Sequence, residues 1–324
     1  MLIAGDIGGT KTALGIFSTE AGPHTPLAQT QVHSADYPSL QLIVKEFLAT
    51  TKQPVDRACF AIAGPIIDGR VKTTNLPWVI DEAVLAHDLN INRRSVHLIN
   101  DLEAIADAVP ILRPSDVQTL NAGEPVPHGA IAVIAPGTGL GESFLTWDGR
   151  RYRGHSSEGG HSDFAPSGDR QIQLLQYVSK KFGHVSWERV CSGLGIPNIY
   201  DYLRDIEQIA EDSNTAALID SSHDRTAAIF EHASVSARAA STIDTFVSIL
   251  AAEAANLALK VLATGGVYIA GGVAVHALDA LKHPTFMQSF KQKGRFSELM
   301  SRIPVHVVTS PAGLAGAAIY GLTS

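Results

Sequence analysis

Hydrophobic positions along this chain fall into short runs bounded by glycine and longer stretches with helical spacing. Two apolar runs, "LIAGDI" and "TALGIF", are separated by "GGTK" and predict a strand, a tight glycine turn and an antiparallel strand over residues 2 to 17. Further strands fit "RACFAIA" (57 to 63), "RVKTT" (70 to 74) and "SVHLIN" (95 to 100). Residues 37 to 50 place apolar side chains at helical spacing. A second helix follows over residues 101 to 109, with Asn100 or Asp101 as its cap. Strands alternating with helices are the pattern of an α/β domain.

The segment "LRPSDVQTLNAGEPVPHG" (112 to 129) is rich in proline and turn formers and reads as a domain boundary. After it, "AIAVIAPGTGLGESFLTWDGRRYRG" repeats in outline the opening theme of strand, glycine turn and strand. From Arg170 onward the periodicity is mostly helical and includes one long alanine-rich helix, about 226 to 263, stopped by Gly265 and Gly266. "VYIAGGVA" then predicts a strand running into another glycine turn. "VHVVT" and "PAGLAGAAIYGL" predict a last strand and helix. Two glycine hairpins in two domains point to one cleft between them.

Composition narrows the classes. Of the 324 residues, 45% are apolar and 18% charged, enough to bury cores for two ordinary domains; a disordered chain or a disulfide-stapled miniprotein does not fit. The net charge is −7, from 25 basic and 32 acidic residues, and no basic block exceeds a dipeptide. Nucleic acid is therefore not an expected partner. Two cysteines, Cys59 and Cys191, form neither a disulfide framework nor a four-cysteine zinc site, and a reducing, cytoplasmic location is expected. The opening run has no marks of a secretory signal. The apolar stretch 261 to 277 carries four glycines, and Glu253 and Lys260 interrupt the segment before it, so no membrane span is expected.

The glycine turns supply the first candidate chemistry. "GDIGGTKT" (5 to 12) is not a phosphate loop of the Walker type, because Thr10 stands where glycine is needed and a strand follows instead of a helix. It is a hairpin whose backbone N–H groups face an anion, with Asp6 beside them as an outer-sphere Mg²⁺ partner. An ordinary glycine turn is the plain alternative. "APGTGLG" (135 to 141) and "IAGGVA" (269 to 274) are further turns, each after an apolar strand. Together they fit a nucleotide gripped between two domains.

The polar candidates are more specific. "LINDLEA" sets Asn100 and Asp101 at the end of an apolar strand, where catalytic groups commonly emerge; Asp101 either accepts a proton from an attacking alcohol or simply caps the next helix. "SSEGGHSDF" gathers Glu158 and His161 around two glycines, suited to a polyol, or else to a solvated loop. "VSWERVCSGLG" puts Glu188 ahead of another glycine turn, and taken alone it reads as a surface glutamate. A metal set of His155, His161 and Asp163 lacks a fourth compact ligand. Asn75 and Trp78 in "TTNLPW" either neighbour a sugar or form a loop anchored by a buried tryptophan.

In this order along almost the whole chain, "GDIGGTKT", "AIAGPI", "TTNLPW", "LINDLEA", "APGTGLG", "EGGH", "WERVCSGLG" and "IAGGVA" resemble the segments of the bacterial glucokinases, in the hexokinase and actin-like ATPase superfamily. The combination of "ND", "EGGH" and "ERVCSG" is the specific part. The resemblance implies an α/β, two-domain actin-like ATPase (ribonuclease H-like) fold with an interdomain active-site cleft. Residues 1 to 111 plus 310 to 324 would form a small α/β domain, and 112 to 309 a large α+β one. It implies ATP-dependent phosphorylation of the 6-hydroxyl of D-glucose, with Asp101 as base. Asn100, Glu158, His161 and Glu188 would hold the other sugar hydroxyls, and Thr138 with Gly139 would lie between sugar and phosphates. Gly5, Asp6, Ile7, Gly8, Gly9, Thr10 and Gly137 would hold the phosphates of ATP, Asp6 would partner Mg²⁺, and Gly271 with Gly272 would border the adenosine. A homodimer is the implied assembly.

The alternatives are a kinase of another hexose or amino sugar, or a sugar and ATP sensor without turnover. Lys11 departs from a frequent asparagine and either adds a charge near the phosphates or faces solvent; Ala135 replaces a frequent glycine. The related sugar-kinase and repressor group carries a cysteine-rich zinc motif after its "GH". Here no cysteine follows His161 until Cys191, so structural zinc is not expected.

Overall fold

The computed structural model describes residues 1–73 and 76–324. Asn75, and Thr74 at the end of the expected strand 70 to 74, lie outside the described residues. The chain forms two compact units. One comprises Met1–Arg113, Tyr152–Gly154 and Ser310–Ser324, the other Pro114–Arg151 and His155–Thr309. The expected partition differs from it at residues 112 and 113 and in Tyr152–Gly154.

The first unit is built on strands β1 (Leu2–Ile7), β2 (Lys11–Phe17), β3 (Ala28–His33) and β4 (Arg57–Ile62). A two-stranded ribbon, β5 (Arg70–Lys72) and β6 (Val79–Asp81), precedes β7 (Val96–Asn100). The main sheet has the order β3-β2-β1-β4-β7. β1 pairs antiparallel with β2, from Leu2 opposite Phe17 to Ile7 opposite Thr12, so the expected glycine hairpin is present. β1 and β4 run parallel, as do β4 and β7, and Ile7, Ile62 and Asn100 lie level across them. The carboxyl ends of β1 and β7 therefore share one sheet edge, and these ends carry the polar candidates.

β3 is absent from the sequence reading. Its "AQTQVH" alternates half-buried and exposed positions without a strong apolar face. One sheet face is covered by the helix Leu40–Thr51, which buries Leu40, Ile43, Val44 and Phe47 and ends at Lys52 in a left-handed cap. Another small core joins Leu2, Ala4, Cys59, Ala61 and Ala104 to Leu314, Ala317 and Ala318 of the last helix, Ala312–Thr323. That helix can approach because a Cβ on Gly316 would fall on the Ala104 carbonyl oxygen.

The second sheet comprises β8 (Val117–Asn121), β9 (Ile131–Pro136), β10 (Leu140–Trp147), β11 (Tyr152–Ser157, of which only His155–Ser157 belong to the second unit), β12 (Gly266–Ile269) and β13 (Val305–Val308), in the order β11-β10-β9-β12-β13-β8. β9 and β10 form the second expected hairpin, antiparallel with Leu140 opposite Pro136. β8 corrects the reading of 112 to 129 as boundary alone: this mostly half-exposed strand pairs antiparallel with β13.

The helix expected over 226 to 263 is two helices, Arg225–His232 and Ala237–Val261. Ser236 breaks the run, because its hydroxyl caps the second helix by accepting from the Ala239 N–H at 2.9 Å. The stop also comes earlier than Gly265, at Leu262 in the left-handed conformation (φ 51°). Ala237–Val261 is long and apolar enough to cross a membrane, but 72% of its apolar window is buried, which makes it the core helix of this unit.

Candidate active site

In the first unit, Asp6 lies near the end of β1, just before the glycine turn. Its carboxyl sits against Gly313, where a Cβ would collide with it; this neighbour at the start of the last helix had no sequence signal beyond a glycine in "PAGLAG". Burial, and then the Asp101 charge, push the Asp6 pKa up to about 6. The turn itself is pinned from behind. The Gly8 N–H donates to the Lys11 carbonyl (2.9 Å), and the Ser34 hydroxyl donates to the Gly8 carbonyl (2.8 Å) while contacting Thr12 Oγ1 (3.0 Å). Ser34 is a supporting residue the sequence did not reveal. Lys11 is exposed.

At the end of β7 the cap and the candidate base are different residues. Asn100 is the N-cap of the helix Asp101–Ala108, its Oδ1 accepting from the Leu102 N–H (2.9 Å) and its Nδ2 donating to the Gly64 carbonyl (3.3 Å). Asp101 is the first helical residue and shares the same Leu102 N–H through Oδ1 (3.0 Å). Burial raises the Asp101 pKa above the ordinary carboxylate range. Asn100 thus has a structural duty as well as its candidate sugar contact.

In the second unit, the turn Gly137–Gly139 closes on itself, Gly137 N–H to Gly139 carbonyl (2.9 Å), and rests on the 192 to 195 loop through Gly193 N–H to Gly137 carbonyl (2.8 Å). Glu188, in the short helix Trp187–Arg189, accepts from the Leu140 N–H (3.0 Å), and its carboxylate occupies the space a Cβ on Gly139 would need. His161 Nδ1 is 3.9 Å from Glu188 Oε1, and His161 Nε2 is 3.9 Å from Glu158 Oε2. Thr138, Gly139, Glu158, His161 and Glu188 are thereby gathered round the β9–β10 turn. This arrangement of two carboxylates and an imidazole offers both acceptors and donors to adjacent hydroxyls.

Gly271 (φ 90°) backs onto the Pro136 carbonyl, which brings the Gly271–Gly272 turn beside the same hairpin. His155 instead stacks on Phe144 (4.8 Å) and contacts Thr146 Oγ1 (2.8 Å), while Asp163 contacts His184 (2.7 Å). The His155, His161 and Asp163 metal set is therefore dispersed. Among the described residues no group of three or more His, Cys, Asp or Glu forms a metal site. Trp78 is fully buried, its Nε1 donating to the Tyr37 carbonyl (3.2 Å), as a loop anchor.

A five-stranded and a six-stranded mixed sheet, each containing a glycine-turned hairpin, are those of sugar kinases of the actin-like ATPase fold. The family model described as "Glucokinase" matches residues 3–324. The chain is 42% identical to a glucokinase of Nostoc punctiforme, over 98% of both chains. The crystal structure of a glucokinase from an Antarctic psychrotroph superposes with a TM-score of 0.83 at 30% identity, covering 100% of this chain and 99% of that one. A glucokinase of the ROK family from Streptomyces griseus, solved with glucose and AMPPNP, shares the fold at 20% identity and a TM-score of 0.65, over 100% of this chain and 99% of that one. The chain belongs to the glucokinase family.

Proposed function

We propose that this enzyme transfers the γ-phosphoryl group of ATP to the 6-hydroxyl of D-glucose, giving glucose 6-phosphate and ADP, as a cytoplasmic homodimer. Asp101 acts as the base. The observation that carries this role is the division of labour at the end of β7, where Asn100 is the cap and a half-buried, raised-pKa carboxylate follows it. The 6-hydroxyl gives its proton to Asp101 as its oxygen bonds to the γ-phosphorus, and the bond from that phosphorus to the bridging oxygen breaks to release ADP. Glu158, His161, Glu188 and the second amide hydrogen of Asn100 hold the remaining hydroxyls, fixing the attacking oxygen in line.

The N–H groups of the turn after Asp6, with Thr138 and Gly137, receive the phosphates, and Gly271 and Gly272 border the adenosine. Mg²⁺ fits at Asp6: burial and the Asp101 charge raise the cost of ionising the Asp6 carboxyl, and a hard cation held beside it would relieve that cost. When bound, the ion neutralises charge on the phosphates. ATP as donor is supported by the glycine turns and by the AMPPNP held by the Streptomyces griseus relative. The test is Asp101→Asn. It should lower kcat by about 10² to 10⁴ while leaving glucose affinity, measured calorimetrically, near that of the wild type; a retained kcat would remove Asp101 from the role.

A further inference from the structure

One buried polar cluster in the second unit is unused by this mechanism. Glu142 on β10 is 1% exposed and Glu253 in the helix Ala237–Val261 is 0% exposed, and the two carboxyls act on each other. Two buried carboxylates that act on each other cannot both ionise cheaply, so one of them keeps a proton. The surroundings assign it. Glu253 receives Asn256 Nδ2 on one oxygen (2.9 Å) and Lys260 Nζ on the other (3.3 Å), the donors that a carboxylate needs. Lys293, on the segment packed alongside, holds Asn256 by donating to its Oδ1 (2.6 Å) and to the Ala252 carbonyl (3.1 Å). Glu142 has no cation of its own, and its Oε1 is buried without a partner. From the 187 to 195 segment the buried Cys191 thiol also faces the pair; burial and both carboxylates push its pKa well up, so it stays neutral.

Glu142 also stands directly behind the EGGH turn. Its Oε2 occupies the space a Cβ on Gly159 would need, and the Leu140 carbonyl, two residues earlier on β10, does the same at Gly160. We propose that Glu142 is a positioning residue for the acceptor sugar: as a neutral carboxyl beside Glu253, it backs Gly159 and fixes the turn that presents Glu158 and His161. The inference rests on the reading of Glu158 and His161 as sugar ligands. Burial first, and then the Glu253 charge, push the Glu142 pKa up to about 8, with Lys260 opposing, so the carboxyl is neutral at pH 7 and ionises on the alkaline side. Ionisation sets two buried anions against each other beneath the turn.

The experiment measures kcat and KM for glucose and for ATP from pH 6.5 to 9.5 in the wild type, Glu142→Gln, Glu142→Ala and Glu158→Gln, with folding checked by circular dichroism. The wild type should show a rise in glucose KM above about pH 8 with little change in ATP KM. Glu142→Gln cannot ionise, and it should keep the neutral-pH KM and lose the alkaline rise. Glu142→Ala should raise glucose KM about tenfold with kcat changed far less. An alkaline rise persisting unchanged in Glu142→Gln, or a folded Glu142→Ala with unaltered glucose KM, overturns the proposal. Glu158→Gln separates the two failures. If it raises glucose KM while the Glu142 variants do nothing, only the positioning role falls; if it leaves glucose KM unchanged, the sugar-ligand reading falls and takes this role with it.

Discussion

Asp101 and Asp6 are half-buried carboxyls; burial raises the pKa of each above its ordinary value, and the Asp101 charge adds to the rise at Asp6. A base must be ionised to accept a proton, so kcat/KM should fall on the acid side with a midpoint above the usual 3.8 of aspartate, and a midpoint at or below that value would contradict the assignment. Glu142 gives a second pH dependence, on stability. Its folded pKa of about 8 exceeds its unfolded value of 4.5, so the folded state keeps a proton that the unfolded chain releases. The stabilisation from that proton is complete below the unfolded value and is lost as pH rises towards 8. Urea titrations between pH 5 and 9 should show stability declining with pH in the wild type and declining less steeply in Glu142→Gln.

Among the elements, the helix Ala312–Thr323 comes close to Ala104, an approach that Gly316 permits. Gly316→Val would force the helices apart. A loss of about 1–3 kcal/mol or more in denaturant unfolding is expected, and an unchanged midpoint would contradict the packing account. The elements also show what the sequence displayed. β1, β2, β4, β7, β9 and β10 were legible because their apolar runs end in glycine or in polar groups, and "ND" and "EGGH" because rare polar residues follow those runs. β3 and β8 were not, since a half-exposed edge strand has no apolar run to betray it. The long helix was overextended because alanines continue through the Ser236 cap without a glycine or proline. Glu142 was hidden for a different reason: its burial depends on the packing of a helix more than a hundred residues away, and only the fold reveals that Glu253 faces it. Glu253 and Lys260 looked like charges breaking an apolar stretch, although they form one ion pair.

For the whole molecule, the two cysteines, Cys59 and Cys191, are free and buried in two separate cores. The proposed homodimer is checked by sedimentation equilibrium, where a mass of two chains is expected and a single-chain mass at micromolar concentration would exclude it. The central claim is the choice of sugar. Hydrogen-bonding groups covered by a bound sugar discriminate strongly against a hydroxyl that is missing or misplaced, so Glu158, His161 and Glu188 should select one stereochemistry when they close on it. The most direct measurement is a coupled steady-state assay with ATP and Mg²⁺ across glucose, mannose, fructose and N-acetylglucosamine, with Asp101→Asn in parallel. A kcat/KM for glucose well above that for every other sugar, and lost in Asp101→Asn, is the predicted result. Equal or better turnover of another sugar, or turnover that survives in Asp101→Asn, would contradict it.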